Sequence, residues 1–177
     1  MRGAGSNTIT HAGTTSIRKG VTVLEAARED HSELVQAPHP PVMVVEDDAV
    51  SAAVIRRHLR TLGLANPVQV LTNGTDALGW LSATLAGPAC DRPALVLLDR
   101  HLPGPSGLDV LRWMHEQPAL RGIPVLMLTA ASDVDAISEA YALGARSYLV
   151  KPVGFDALGE VIKGLDLPWA ILPAEAG

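Results

Sequence analysis

Five short apolar runs, at 42–45, 68–71, 94–98, 125–128 and 147–150, constrain the fold more than any other feature of this chain. None alternates strictly with polar residues, which is the pattern of strands buried on both faces. Between the runs, apolar residues recur at helical spacing. Val54, Ile55, Leu59 and Leu62 form one such set, Leu78, Leu81 and Leu85 a second, and Phe155, Leu158, Ile162 and Leu165 a third. Gly63 and Gly144 fall where helices should end in left-handed caps, and Asp48, Thr75 and Asp133 stand where helices should begin. Strands alternating with helices build right-handed βαβ units around a parallel sheet. The expectation is a doubly wound α/β domain with a five-stranded parallel sheet and helices on both faces.

The remaining composition excludes several classes. Hydrophobic residues make up 47% of the 177 and charged residues 19%, enough apolar matter for a real core. A net charge of −5 with only three Trp, two Tyr and one Phe lacks the basic footprint of a nucleic-acid binder. The single cysteine, Cys90, excludes an internal disulfide framework and a cysteine-rich zinc site. His11, His31, His39, His58 and His115 do not have metal-ligand spacing, and Trp80 and Trp113 read as helix packing residues. No apolar run approaches the roughly 20 residues of a membrane helix, and no signal-peptide core follows Met1, so the expected compartment is cytoplasmic. Residues 1–40 carry four basic and four acidic groups and read as a flexible tail, with a short helix at 22–35 closed by Pro38, Pro40 and Pro41. A start codon placed too far upstream would look the same. The folded domain is expected over 41–166, followed by an apolar tail over 167–177.

Ligands of open α/β sheets bind beyond the carboxyl ends of the strands. There the first run delivers Glu46, Asp47 and Asp48, the third Asp99, the fourth Thr129 and Ala130, and the fifth Lys151 and Pro152. Clustered carboxylates repel one another unless a cation compensates. Oxygen ligands open to water suit Mg²⁺. A carboxylate beside that ion can attack a phosphoryl group, while the metal and the lysine neutralise charge on the transferring oxygens.

These residues, in this order, resemble the receiver domain of two-component response regulators. The likeness rests on Val44-Val45-Glu46-Asp47-Asp48, on Leu97-Leu98-Asp99 with Leu102-Pro103 and Gly107, on Leu128-Thr129-Ala130, and on Tyr148-Leu149-Val150-Lys151-Pro152. The resemblance implies a flavodoxin-like strand order of 2-1-3-4-5. It also implies Asp99 as phosphoacceptor and Asp47 and Asp99 as direct Mg²⁺ ligands, with the His101 backbone carbonyl as another and Glu46 acting through water. Thr129 would be the switch hydroxyl, Tyr148 the aromatic that moves with it, and Lys151 the phosphate-pairing cation. The peptide before Pro152 would be cis. Asp48 reads instead as an N-cap. His101 and Ala131 match positions that set phosphoryl lifetime, and Ala131 offers nothing to orient a water, so slow self-dephosphorylation is expected.

The long connection at 86–93, the approach to the fourth strand at 117–124 and the Trp169-containing tail are similar to single-domain regulators paired with phytochrome-type sensor kinases. The partner implied is such a kinase, another sensor histidine kinase or a phosphotransfer protein. Trp169, Ile171 and Leu172 would serve either as a homodimer arm, with the fourth helix and fifth strand, or fold back on their own domain. No enzyme activity on an external substrate is expected. A haloacid-dehalogenase-type phosphatase would need an acid where His101 stands. A receiver fold acting as an interaction module without phosphorylation is the other rival.

Overall fold

The computed structural model describes residues 39–130 and 134–165. The expectations for the two tails, for Ala131 and for an Asp133 cap lie outside the described residues. Elements alternate as read from the sequence: β1 (Val42–Val45), α1 (Ala49–Thr61), β2 (Val68–Leu71), α2 (Gly74–Ala86), β3 (Leu95–Asp99), α3 (Gly107–Glu116), β4 (Val125–Thr129), α4 (Val134–Ala142), β5 (Ser147–Val150) and α5 (Phe155–Lys163). A 3-10 turn, Ala89–Asp91, lies in the long connection before β3. The sheet is wholly parallel with order β2-β1-β3-β4-β5, the flavodoxin-like arrangement.

The period-two geometry of strands explains why apolar runs were required. Met43, Val45, Val96, Leu98, Val125 and Met127 face one layer, where they meet Ala77 and Leu81 of α2 and Val110, Leu111 and Met114 of α3. Val42, Val44, Leu95, Leu97, Leu126 and Leu128 face the other, against Ile55 and Leu59 of α1 and Leu158 and Ile162 of α5. Trp80 and Trp113 pack, partly buried, against the first layer.

Two sequence expectations need correction. β1, β3 and β4 are buried at every residue, whereas β2 is half-buried throughout and β5 exposes 37% of Tyr148 and 45% of Val150. The edge position is the reason: an outer strand has a neighbour on one side only. Thr75 does not start α2. Asn73 does, its side chain accepting a hydrogen bond from the Asp76 amide at 2.8 Å. Asp48 caps α1 as expected, accepting from the amides of Val50 and Ser51. Gly63 and Gly144 follow α1 and α4 with φ of 80° and 91°, a region other L-residues adopt at a cost.

Candidate acidic site at the carboxyl edge of the sheet

Burial drives the central strands inward until they end in polar residues, and at that edge the chain places three polar groups it does not expose. Glu46 follows β1, Asp99 ends β3 and Thr129 ends β4, all three buried. Asp47 is exposed beside them. One carboxylate oxygen from each of Glu46, Asp47 and Asp99 lies within 4.8 Å of the others.

Lys151, just beyond β5, reaches across the edge. Its Nζ lies 2.7 Å from Asp99 Oδ2 and donates to Glu46 Oε1 at 2.9 Å. Its backbone is held by an amide hydrogen bond to the Thr129 carbonyl at 2.8 Å, and the Lys151–Pro152 peptide is cis. Glu46 therefore pairs directly with the lysine as well as standing near the acidic pair, a contact the sequence reading did not include. Nζ also comes within 2.8 Å of Glu46 Oε2, yet no aligned hydrogen bond reaches that buried oxygen.

The protonation equilibria follow from these neighbours. Burial pushes the Glu46 carboxyl above its ordinary 4.5; the hydrogen bond from Lys151 opposes this and the charge of Asp99 adds to it. Desolvation works against charge on Lys151, but Asp99 and Glu46 outweigh it and hold the ammonium above its ordinary 10.5. The lysine is thus charged across the physiological range and balances one of the three acids.

An excess of negative oxygen remains, with one buried carboxylate oxygen lacking a directed donor. Hard oxygen ligands, one exposed to solvent, fit a divalent cation that keeps part of its water shell. Asp47 and Asp99 would hold it, with Glu46 close behind. The His101 amide donates to Asp99 Oδ1 at 3.1 Å, which fixes the carboxylate and places the His101 backbone beside the site. The His101 side chain is exposed.

Thr129 and Tyr148 sit on adjacent strands, two residues out of register, because Met127 pairs with Tyr148 and Thr129 with Val150. Both line one small cavity with Arg100, Leu108 and Ile137. The Tyr148 ring meets Tyr141 of α4 edge-on, with centroids 6.2 Å apart. Around the acidic site the surface is apolar: Val50 is 70% exposed, Val54 and Phe155 are also exposed, and a groove of about 140 Å³ runs between Val50, Val54, Pro152 and Val153. A larger cavity of about 420 Å³, beside Pro41, Pro67, Trp80 and Cys90, involves none of Glu46, Asp47 and Asp99. No helix among the described residues is long and apolar enough to cross a membrane.

Sequence reasoning missed two features besides the lysine bridge. The first is the capping box of α3, where Ser106 and Asp109 exchange hydrogen bonds; its Ser-x-x-Asp spacing is visible in the sequence. The second is the packing of Gly74 against the loop after β3, which no local signal reveals.

Comparison with known proteins agrees with this geometry. The model of the response regulator receiver domain matches residues 42–163. The probable methanogenesis regulatory protein FilR2 of Methanothrix harundinacea is 32% identical over 141 residues, covering 79% of this chain and 90% of that protein. Among solved structures, the bacteriophytochrome response regulator RtBRR superposes with a TM-score of 0.67 at 34% identity, covering 76% of this chain and 82% of that one. The Mn²⁺-bound form of response regulator Rcp1, a Synechocystis protein, superposes with a TM-score of 0.59 at 29% identity, covering 76% of this chain and all of that one. With its parallel sheet in the order 2-1-3-4-5 and its acids gathered at the carboxyl edge, the chain belongs to the response regulator receiver domain family of two-component signalling.

Proposed function

We propose that this protein is a single-domain response regulator that accepts a phosphoryl group on Asp99 from a phosphohistidine of a sensor histidine kinase or phosphotransfer protein. The observation that carries the reading is the Asp99 carboxylate, buried, held by the His101 amide and by Lys151 at 2.7 Å, with Asp47 and Glu46 alongside. In the transfer, an Asp99 oxygen forms the new P–O bond as the donor's P–N bond breaks, and the imidazole leaves. Lys151 stays in place to pair with the phosphoryl oxygens, and Thr129 offers them a hydroxyl. Bound Mg²⁺, held by Asp47, Asp99 and the His101 carbonyl, would neutralise charge on the transferring oxygens. The Mn²⁺ in the Rcp1 structure supports a divalent ion here.

The domain catalyses only its own phosphorylation and dephosphorylation. The exposed Val50, Val54 and Phe155 beside the acids suit a protein donor pressed against α1 and the start of α5. A phytochrome-type kinase is the donor suggested by likeness to RtBRR, which is titled a bacteriophytochrome response regulator. The signal leaves through the face of α4 and β5, where Tyr141, Tyr148 and Val150 are exposed, either to a downstream protein or to a second copy of the chain.

The test is intact-mass measurement after incubation with acetyl phosphate, with and without Mg²⁺, on the wild type and Asp99→Asn. A magnesium-dependent phosphoryl adduct absent from the variant supports the reading, and a change in size-exclusion elution on the same samples would assign output to dimerisation. No adduct under any condition overturns it in favour of a phosphorylation-independent interaction module.

A further inference from the structure

We propose that Gly74, at the first turn of α2, is a positioning residue for the acidic site: it seats the loop after β3 and thereby sets where the His101 backbone stands relative to Asp99. The proposal rests on the phosphoacceptor reading above and adds to it an element, α2, that contributes no group to the chemistry.

The loop between Asp99 and α3 is fastened at two points. At its far end the Gly107 amide donates to the Arg100 carbonyl at 3.0 Å, and a Cβ on Gly107 would come within 2.1 Å of the Asp99 carbonyl oxygen. In its middle the Gly74 amide donates to the Pro103 carbonyl at 3.1 Å. A Cβ on Gly74 would lie 1.9 Å from the Pro105 carbonyl oxygen and 2.8 Å from its carbonyl carbon. Both obstacles are backbone, so no side chain can swing away. Gly104, between the two prolines, has a φ of 76° and packs toward Thr75 of the same helix turn. The Gly74 constraint is therefore one of space: α2 and the loop touch backbone to backbone.

Only one residue separates His101 from Pro103. His101 donates its amide to Asp99 Oδ1 at 3.1 Å, and its carbonyl is the expected third protein ligand. A methyl group at position 74 must push the Pro103–Pro105 stretch outward by an ångström or so, because real Cβ contacts with backbone do not fall below 3.0 Å. That shift is transmitted to His101 with little loss, since the prolines stiffen the loop. Partners that orient ligands in this way are worth roughly 10- to 100-fold in metal affinity.

Gly79 supplies the control. It lies on the same helix with nothing within 4 Å of an added Cβ, so alanine there alters helix propensity without touching the loop. The experiment compares the wild type, Gly74→Ala and Gly79→Ala by Mg²⁺ titration calorimetry, and by the amide resonance of His101 in metal-free protein. Gly74→Ala is expected to shift that resonance and to weaken Mg²⁺ binding by about 10-fold or more, while Gly79→Ala matches the wild type in both. A folded Gly74→Ala whose His101 amide and Mg²⁺ affinity equal those of the wild type would overturn the proposal. Should Gly74→Ala not fold, Gly104→Ala strains the same loop from its own side, and an unchanged His101 amide and affinity there count against the proposal equally. Absence of Mg²⁺ binding or of a phosphoryl adduct in the wild type would instead defeat the phosphoacceptor reading, so the two failures are distinct.

Discussion

The middle and the carboxyl end of the central strands are equally buried and chemically opposite. Leu97 and Leu98 of β3 have no exposed surface, and Asp99, the next residue, is almost as enclosed. The leucines are stabilised by what surrounds them, through apolar contact on both faces of the sheet. Asp99 and Glu46 are buried at a cost, which Lys151 offsets only in part. The comparison teaches that the strand middles maintain the fold, while the strand ends hold charge that folding alone would not select.

The largest expected effect comes from removing the Lys151 ammonium. Lys151→Met leaves two buried carboxylates without their ammonium and should lower unfolding free energy by about 3–5 kcal/mol, as read by urea denaturation. Millimolar Mg²⁺ should restore part of that loss. Equal stability of variant and wild type would erase the distinction between middle and end. Leu97→Ala is expected to cost about 2–5 kcal/mol through cavity formation, but with no Mg²⁺ rescue, which separates the two regions by mechanism. In the wild type, Mg²⁺ at ten times its dissociation constant should stabilise the fold by about 1.4 kcal/mol, and Asp47→Asn should abolish this shift in thermal melts.

Smaller effects test the exposed acids. Ser106→Ala removes the N-cap of α3 and should cost about 1 kcal/mol. Asp109, in the same capping box, is an exposed carboxylate held below its ordinary 3.8 by hydrogen bonds from the Ser106 side chain and amide. Glu46, by contrast, is raised by burial. A lowered folded-state pKa contributes stability above the unfolded value and loses it as pH falls through the folded one. Asp109→Asn should therefore lower the melting midpoint slightly at pH 7, with the gap closing below pH 3.8. For Glu46 the sign is reversed: its ionisation costs stability as pH rises above 4.5, so Glu46→Gln should gain relative to the wild type over that range.

Much of this was legible in the residues. Parallel strands buried on both faces leave continuous apolar runs, and all five runs end within one residue of their strands, with β2 and β5 showing the weaker burial of edge strands. The site was legible because Glu46, Asp99, Thr129 and Lys151 interrupt or follow those runs at their carboxyl ends. The α2 boundary was misread because Thr75 and Asn73 are both competent caps, and only the side-chain hydrogen bond to Asp76 distinguishes them.

The sequence by itself determined the order of elements, the sheet's parallel character and the chemical identity of the groups at its edge, because each depends on local periodicity and on where polarity begins. Tertiary structure alone decided that Lys151 bridges Glu46 and Asp99 across 105 and 52 positions of sequence, and that Gly74 meets Pro105 with no room for a methyl group. Both arise where separate crossovers converge, and a contact between backbones or between distant side chains has no period for a single stretch of sequence to carry.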